Sequence, residues 1–244
     1  MGEGLRPIFG VGCPRSGTMT LAHQMASQPT VEAFHEGVVV GGRSGQLKYL
    51  FQSTDLPKGE EEWNRKALAE RLELAEQIHP LRLCESNNTL SMNLDLVQEY
   101  FPDAKIIHLV RPPIEQAISR FPAYGAIFRT QKAIRQPPRN RTTWTNVGDS
   151  AIWLPHGRLI ELAAKVWQLQ NETIAKTKLP RITIETRELS SIETWKKILD
   201  FCEIDGPIPN LSIVANAGSK KYARGRVPRE AVHYCSMYCT WKWK

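Results

Sequence analysis

Residues Gly10-Val11-Gly12-Cys13-Pro14-Arg15-Ser16-Gly17-Thr18-Met19-Thr20 constrain this chain more than any other stretch. The apolar residues Ile8, Phe9 and Val11 lead into them and a helical pattern starts near Thr18, so the segment reads as strand, tight loop and helix. In such a loop the backbone N–H groups turn inward with the positive end of the helix dipole behind them, a geometry that cradles phosphate or sulfate. The Gly12-to-Gly17 spacing mimics the nucleotide-binding form G-x-x-x-x-G-K-[ST]. Thr18, however, stands where that form has its lysine, and the strong cation, Arg15, sits inside the loop. The loop therefore reads as an anion site that is not built for a triphosphate.

Around this loop, short apolar runs alternate with amphipathic stretches. Strands are predicted at Pro7–Gly12, Val31–Phe34, Leu81–Glu85, Ala104–Val110 and Arg181–Glu185, and helices near 18–28, 60–79, 90–101, 113–121, 157–177 and 191–203. The alternation predicts an α/β fold with a parallel central sheet flanked by helices. The 244 residues suffice for one core, so 1–244 reads as a single domain. Variable insertions fall near 37–60 and 122–156, and a basic segment closes the chain at 206–244.

No apolar run reaches membrane-spanning length, the first residues lack a secretory pattern, and the five cysteines have no framework spacing. These features predict a cytoplasmic protein with reduced thiols, although a piece of a Golgi-type membrane enzyme would read the same way. His233, Cys235 and Cys239 are one helical turn or so apart with no second ligand pair, and read as a helix face rather than a zinc site.

The net charge of +7 is concentrated in two places. Residues 104–141 carry eight lysines and arginines against Glu115 alone, and 206–244 carry seven against Glu230 alone. Such patches predict a polyanionic ligand. The basic runs lack the interleaved aromatics of a single-strand platform, so nucleic acid is not the expected partner.

A second motif, Ile106-Ile107-His108-Leu109-Val110-Arg111-Pro112-Pro113 running on to Ser119, reads as a buried strand that ends at Arg111 and is followed by a helix. Ligands of parallel α/β sheets sit at the carboxyl ends of strands, which places Arg111 where the Arg15 loop also opens. The two motifs lie in order about ninety residues apart. Together they resemble the sulfotransferases that use 3′-phosphoadenosine 5′-phosphosulfate (PAPS), over roughly residues 7–36 and 81–204. Cys13 to Thr20 is similar to their 5′-phosphosulfate loop, and Phe101 to Pro112 with Ser119 to their 3′-phosphate segment. Trp167-Gln168-Leu169-Gln170-Asn171 and 181–204 are similar to later family elements.

The resemblance implies a P-loop nucleotide-hydrolase-like sulfotransferase fold, with PAPS as donor and 3′-phosphoadenosine 5′-phosphate (PAP) as product. No metal is needed, because fixed cations do its work. Pro14, Arg15 and the backbone of Ser16, Gly17, Thr18, Met19 and Thr20 would hold the 5′ end, and Arg111 with Ser119 the 3′-phosphate. Met19 departs from the family, which often has a second hydroxyl there, and so does Pro113. Lys220 or Lys221 matches a late basic loop that closes over the cofactor.

Transfer to a hydroxyl needs a base. Glu36 and His35 follow the strand Val31–Phe34, which is expected beside the loop strand. The Arg15-to-Glu36 spacing is similar to that of the tyrosylprotein branch of the family, and Glu36 is the first choice with His35 as rival. Glu85, Ser86 and Asn87 are candidate acceptor contacts. The acceptor is expected to be a glycan, small molecule or peptide bearing a hydroxyl, and the basic run 129–141 points to an acidic one. Two other classes stay open: a P-loop kinase or nucleotide hydrolase, and a non-catalytic nucleotide-binding relative.

Overall fold

The structure is a computed structural model that describes residues 4–40, 60–117, 119, 156–212 and 229–242. Its centre is a six-stranded sheet of β1 (Ile8–Gly12), β2 (Val31–His35), β3 (Val38–Val39), β4 (Arg82–Ser86), β5 (Lys105–Val110) and β6 (Arg181–Glu185). The order is β3-β2-β4-β1-β5-β6, and every pairing is parallel except that of β3 with β2. Helices α1 (Thr18–Met25), α2 (Glu60–Ile78), α3 (Leu94–Tyr100), α4 (His156–Ala175), α5 (Ile192–Cys202) and α6 (Arg229–Tyr238) complete the described elements, with a further helical stretch at 113–117. The mixed α/β architecture agrees with the expected one.

Why the sheet takes helices on both faces is visible in β1, all five residues of which are buried. Successive side chains point to opposite faces of a strand. Phe9 and Val11 join Phe34, Leu68, Leu83, Val97, Phe101, Ile106 and Ile174 in the core under α2, α3 and α4. Ile8 goes the other way, to Leu21, Met25, Ile107, Leu109, Ile184 and Trp195 under α1 and α5. In α5, Trp195, Ile198, Leu199 and Cys202 recur at helical spacing and are buried, while Ser191 caps the helix by accepting from Thr194 N–H at 3.4 Å.

Three expectations need correction. β2 does not lie beside the loop strand: β4 stands between them, pairing with β1 on one side and β2 on the other. β4 can take this inner place because Leu83, Cys84, Glu85 and Ser86 are all fully or almost fully buried. The sheet is not wholly parallel, since Glu36 and Gly37 take positive φ (49° and 80°) and fold β3 back along β2. The single helix expected over 90–101 is two pieces, a 3₁₀ turn Thr89–Met92 and α3, broken at Asn93, whose Oδ1 accepts from Asn64 Nδ2 at 2.9 Å. Polar side chains that bond locally or to neighbours offer the backbone this alternative to a continuous helix.

Two neighbours flank β1, and the chain reaches them by different routes, so its carboxyl end is a topological switch point where such sheets bind ligands. Register sets the geometry there. Gly12 pairs with Leu109, so the loop after β1 and the residues after β5 leave the sheet side by side.

Candidate functional site

A cleft of about 550 Å³ opens at this switch point. Pro14, Arg15, Gly17, Thr18, Met19 and Thr20 from the loop, Arg111 after β5, and His35 and Glu36 after β2 all line it. The backbone of the loop is built for close approach. A Cβ on Gly12 would sit 2.2 Å from Leu109 O, and Gly17 has φ +99° at the start of α1. Arg15 itself holds a left-handed φ of 74°, a cost found where geometry is imposed by function. No side chain caps α1, and its first intrahelical bond is Leu21 N–H to Gly17 O. The amides of its first turn therefore stand outside the helical ladder, at the positive end of the dipole.

Neighbouring elements hold the loop in place. Gln116 Nε2 donates to Pro14 O at 3.2 Å, and Thr186 Oγ1 lies 2.6 Å from Ser16 O and 3.1 Å from Val110 O. Ser16 is more enclosed than the sequence suggested. It is fully buried, its N–H is spent on Cys13 O, and its Oγ has no partner among the described residues.

The two arginines come together as the motifs implied. Arg111 Nη1 donates to Arg15 O at 3.3 Å, and Arg15 Nε donates to Ser119 Oγ at 3.3 Å. Ser119 does not line the cleft; it is buried and orients Arg15. Burial lowers the Arg111 pKa, Glu115 at 3.6 Å works against that, and the Arg15 charge adds to it. Two half-buried guanidiniums that raise each other's cost are a setting an anion relieves.

On the opposite rim the carboxylate of Glu36 accepts from Asn88 Nδ2, and Glu36 N–H donates to Ser86 O at 3.1 Å. His35 Nδ1 lies 3.0 Å from Ser86 O. A carbonyl only accepts, so Nδ1 is the donor in this contact and Nε2 is the ring nitrogen left for a second partner. Glu85, Ser86 and Asn87 are not at the cleft. All three are fully buried, Glu85 pairs with Arg71, and the strand end reaches the cleft only with Asn88. Lys220 and Lys221 lie outside the described residues, as does the basic run 129–141.

Sequence reasoning missed Gln24, Asn88, Glu115, Thr186, Arg187 and Leu189 in the cleft wall. Asn88, Thr186 and Arg187 follow predicted strands, and the strand-end rule applied to β4 and β6 would have found them. It also missed the support behind the loop. Trp167 Nε1 donates to Arg111 O at 2.9 Å, and Asn171 joins Cys13 to β5 by donating Nδ2 to Cys13 Sγ at 3.5 Å and accepting from His108 Nε2 at 2.8 Å.

His108 is fully buried, and burial pushes its pKa down to about 4 against the opposing effect of the Asn171 hydrogen bond. The unfolded chain takes up a proton near pH 6.5 and the native chain only near 4, so stability falls as pH drops through that window. Urea unfolding at pH 7 and pH 5 should therefore show a loss about 2 kcal/mol larger in the parent chain than in His108→Gln. Equal losses would contradict the buried neutral ring.

The fold is shared with known proteins. Solved structures with the same fold include a sulfotransferase from Alicyclobacillus acidocaldarius (15% identical, TM-score 0.52, 95% of each chain covered). A sulfotransferase domain from the curacin biosynthetic pathway is 14% identical, with TM-score 0.51 over 96% of this chain and 97% of that one. The sulfotransferase domain of a Synechococcus olefin synthase is 13% identical, with TM-score 0.50 over 98% and 97%. At these identities the likeness is one of fold. Among curated proteins none matches the sequence. Among the described residues no helix is long and apolar enough to cross a membrane. The model of the sulfotransferase family matches residues 7–205, most of the chain, and the protein belongs to that family.

Proposed function

We propose that this sulfotransferase moves a sulfuryl group from PAPS to an acceptor hydroxyl. The observation that carries it is the convergence of Arg15 and Arg111 at the ends of β1 and β5, with a helix N-terminus behind them and a carboxylate, Glu36, on the facing rim. The residues present fit such a donor. Among the described residues the buried Ser16 Oγ lacks a partner, and the partly exposed Glu115 is the only carboxylate paired with either guanidinium.

When bound, the donor supplies an activated sulfuryl group on a phosphate leaving group. Arg15 and the amides of Gly17 to Thr20 hold that end by charge-assisted hydrogen bonds, and Arg111 holds the 3′-phosphate, with Ser119 fixing Arg15. Glu36 takes the proton of the acceptor hydroxyl. Lys220 or Lys221 would add charge at the leaving phosphate, as the family resemblance implies. Catalysis is then mostly positioning and charge stabilisation. A hydroxyl-bearing acceptor of acidic character suits the basic run 129–141. Thr18 in place of the P-loop lysine disfavours a kinase.

Calorimetric titration with PAP, with Mg-ATP as control, tests this. PAP should bind, ATP should bind much more weakly, and Arg111→Ala should cost roughly 10- to 150-fold in PAP affinity, the range for hydrogen bonds to charged groups. No binding of PAP, or a preference for Mg-ATP, would overturn the proposal.

A further inference from the structure

A second cavity, of about 250 Å³, lies at the opposite end of the sheet. Arg6 and Pro7 line it just before β1, Arg82 at the start of β4, His79 just after α2 and Glu203 just after α5. β1 runs from this cavity to the Arg15 loop, so the length of that strand, roughly 17 Å, separates the two sites.

Three cations meet one carboxylate here. Glu203 is the only carboxylate among the described residues that line the cavity. Its Oε1 lies 2.7 Å from Lys105 Nζ and its Oε2 lies 2.8 Å from Arg6 Nη1, so both oxygens are engaged. Lys105 and Arg6 together hold its carboxyl below the usual carboxylate range.

Arg82 is left over. Among the described residues no carboxylate lies within ion-pair distance of it, and its partners are carbonyls. Nε and Nη2 donate to Arg6 O at 2.9 and 2.7 Å, and Nη1 donates to Cys202 O. These bonds fix the guanidinium and leave one N–H on each Nη. Burial lowers the Arg82 pKa, Glu203 opposes that and the Arg6 charge adds to it. A surplus of fixed positive charge around a cavity draws in an anion. The cavity falls below the roughly 300 Å³ at which sites begin to enclose a drug-sized ligand, so it suits a small ion with its waters rather than a nucleotide.

We propose that this cavity is a separate anion site that binds a free tetrahedral oxyanion, sulfate or phosphate, between Arg6 and Arg82. It does not depend on the donor assignment above. Backbone amide NMR reads the two ends of the sheet separately. Sodium sulfate or phosphate titrated into the full chain should move the amides of Leu5, Arg6, Arg82 and Glu203 along a saturating curve. Sodium chloride at equal ionic strength should not reproduce it. Arg6→Gln and Arg82→Gln should each weaken the oxyanion about tenfold or more, the loss of a hydrogen bond between charged groups. Glu203→Gln should tighten it about two- to fivefold by removing the competing carboxylate. The Arg6 and Glu203 side chains are more than half exposed, so those two variants decide the matter even where Arg82→Gln is destabilised.

If chloride gives the same shifts, the effect is screening and the proposal fails. If the saturating shifts are confined to Ser16–Thr20 and Arg111, the oxyanion occupies only the cleft and this site does not exist. If Arg6→Gln binds like the parent, or Glu203→Gln binds no tighter, the charge argument is wrong. PAP titrated into the same variants should bind as it does to the parent, and a loss there would show that the two sites are not separate. A chain that binds sulfate here and no PAP would overturn the donor assignment and leave this one standing.

Discussion

Glu36→Gln should slow sulfuryl transfer about 10²–10⁴-fold, the range for removing a positioned general base, with PAP affinity nearly unchanged. Glutamine is isosteric and its Oε1 still accepts from Asn88 Nδ2, so the rim keeps its shape and loses only the group that takes a proton. The left-handed turn at Glu36 and Gly37 aims the carboxylate, and the bond from Glu36 N–H to Ser86 O pins it to the end of β4. The measurement is transfer of label from PAPS to a panel of phenols, alcohols and sugars, with PAP titrated in parallel. His35 offers a second base through Nε2, and His35→Asn separates the two. If Glu36→Gln keeps turnover and His35→Asn loses it, the base is His35. If neither variant loses turnover, the proton leaves by another route and the catalytic assignment fails.

Arg71→Ala should destabilise the fold by about 3–5 kcal/mol, the cost of leaving a buried charge without its partner. Arg71 on α2 and Glu85 on β4 are both fully buried. Arg71 Nη2 donates to Glu85 Oε1 at 2.7 Å, Nε donates to Oε2, and Nη1 donates to Ala67 O at 2.9 Å. Asn87 Nδ2 adds a bond to Glu85 Oε1 at 2.9 Å. Truncating the arginine removes the fork and strands the carboxylate in an apolar core. The apolar double replacement Arg71→Met with Glu85→Leu should recover most of the loss, because it removes both desolvation costs at similar volume. Equilibrium denaturation in urea checks both. A single variant within about 1 kcal/mol of the parent would mean that the pair is not held as described.

Glu85 also shows how far strand-end reasoning reaches. It was a candidate acceptor contact because it ends a predicted strand. One further residue of strand, and α2 laid across it, turned it into half of an internal ion pair and passed its place at the cleft to Asn88. Ser119 is enclosed in the same way and bonds to Arg15, because the residues packed over it cannot be read from its own neighbours in sequence.

What was legible locally was the part that local physics controls. The apolar runs of β1, β5 and β6, the glycines that let the loop approach Leu109, and the helix start at Thr18 all follow from steric and hydrogen-bonding rules acting over a few residues. Those same rules put Arg15 inside a loop and Arg111 just past a strand, the two positions that the structure brings to one cleft. The order β3-β2-β4-β1-β5-β6 was not legible, because β2 and β4 are both short buried strands and nothing near either one states which should lie against β1. That choice is made by long-range pairing and by the helices that must cover each face, which is also why Glu36 reaches the cleft across β4.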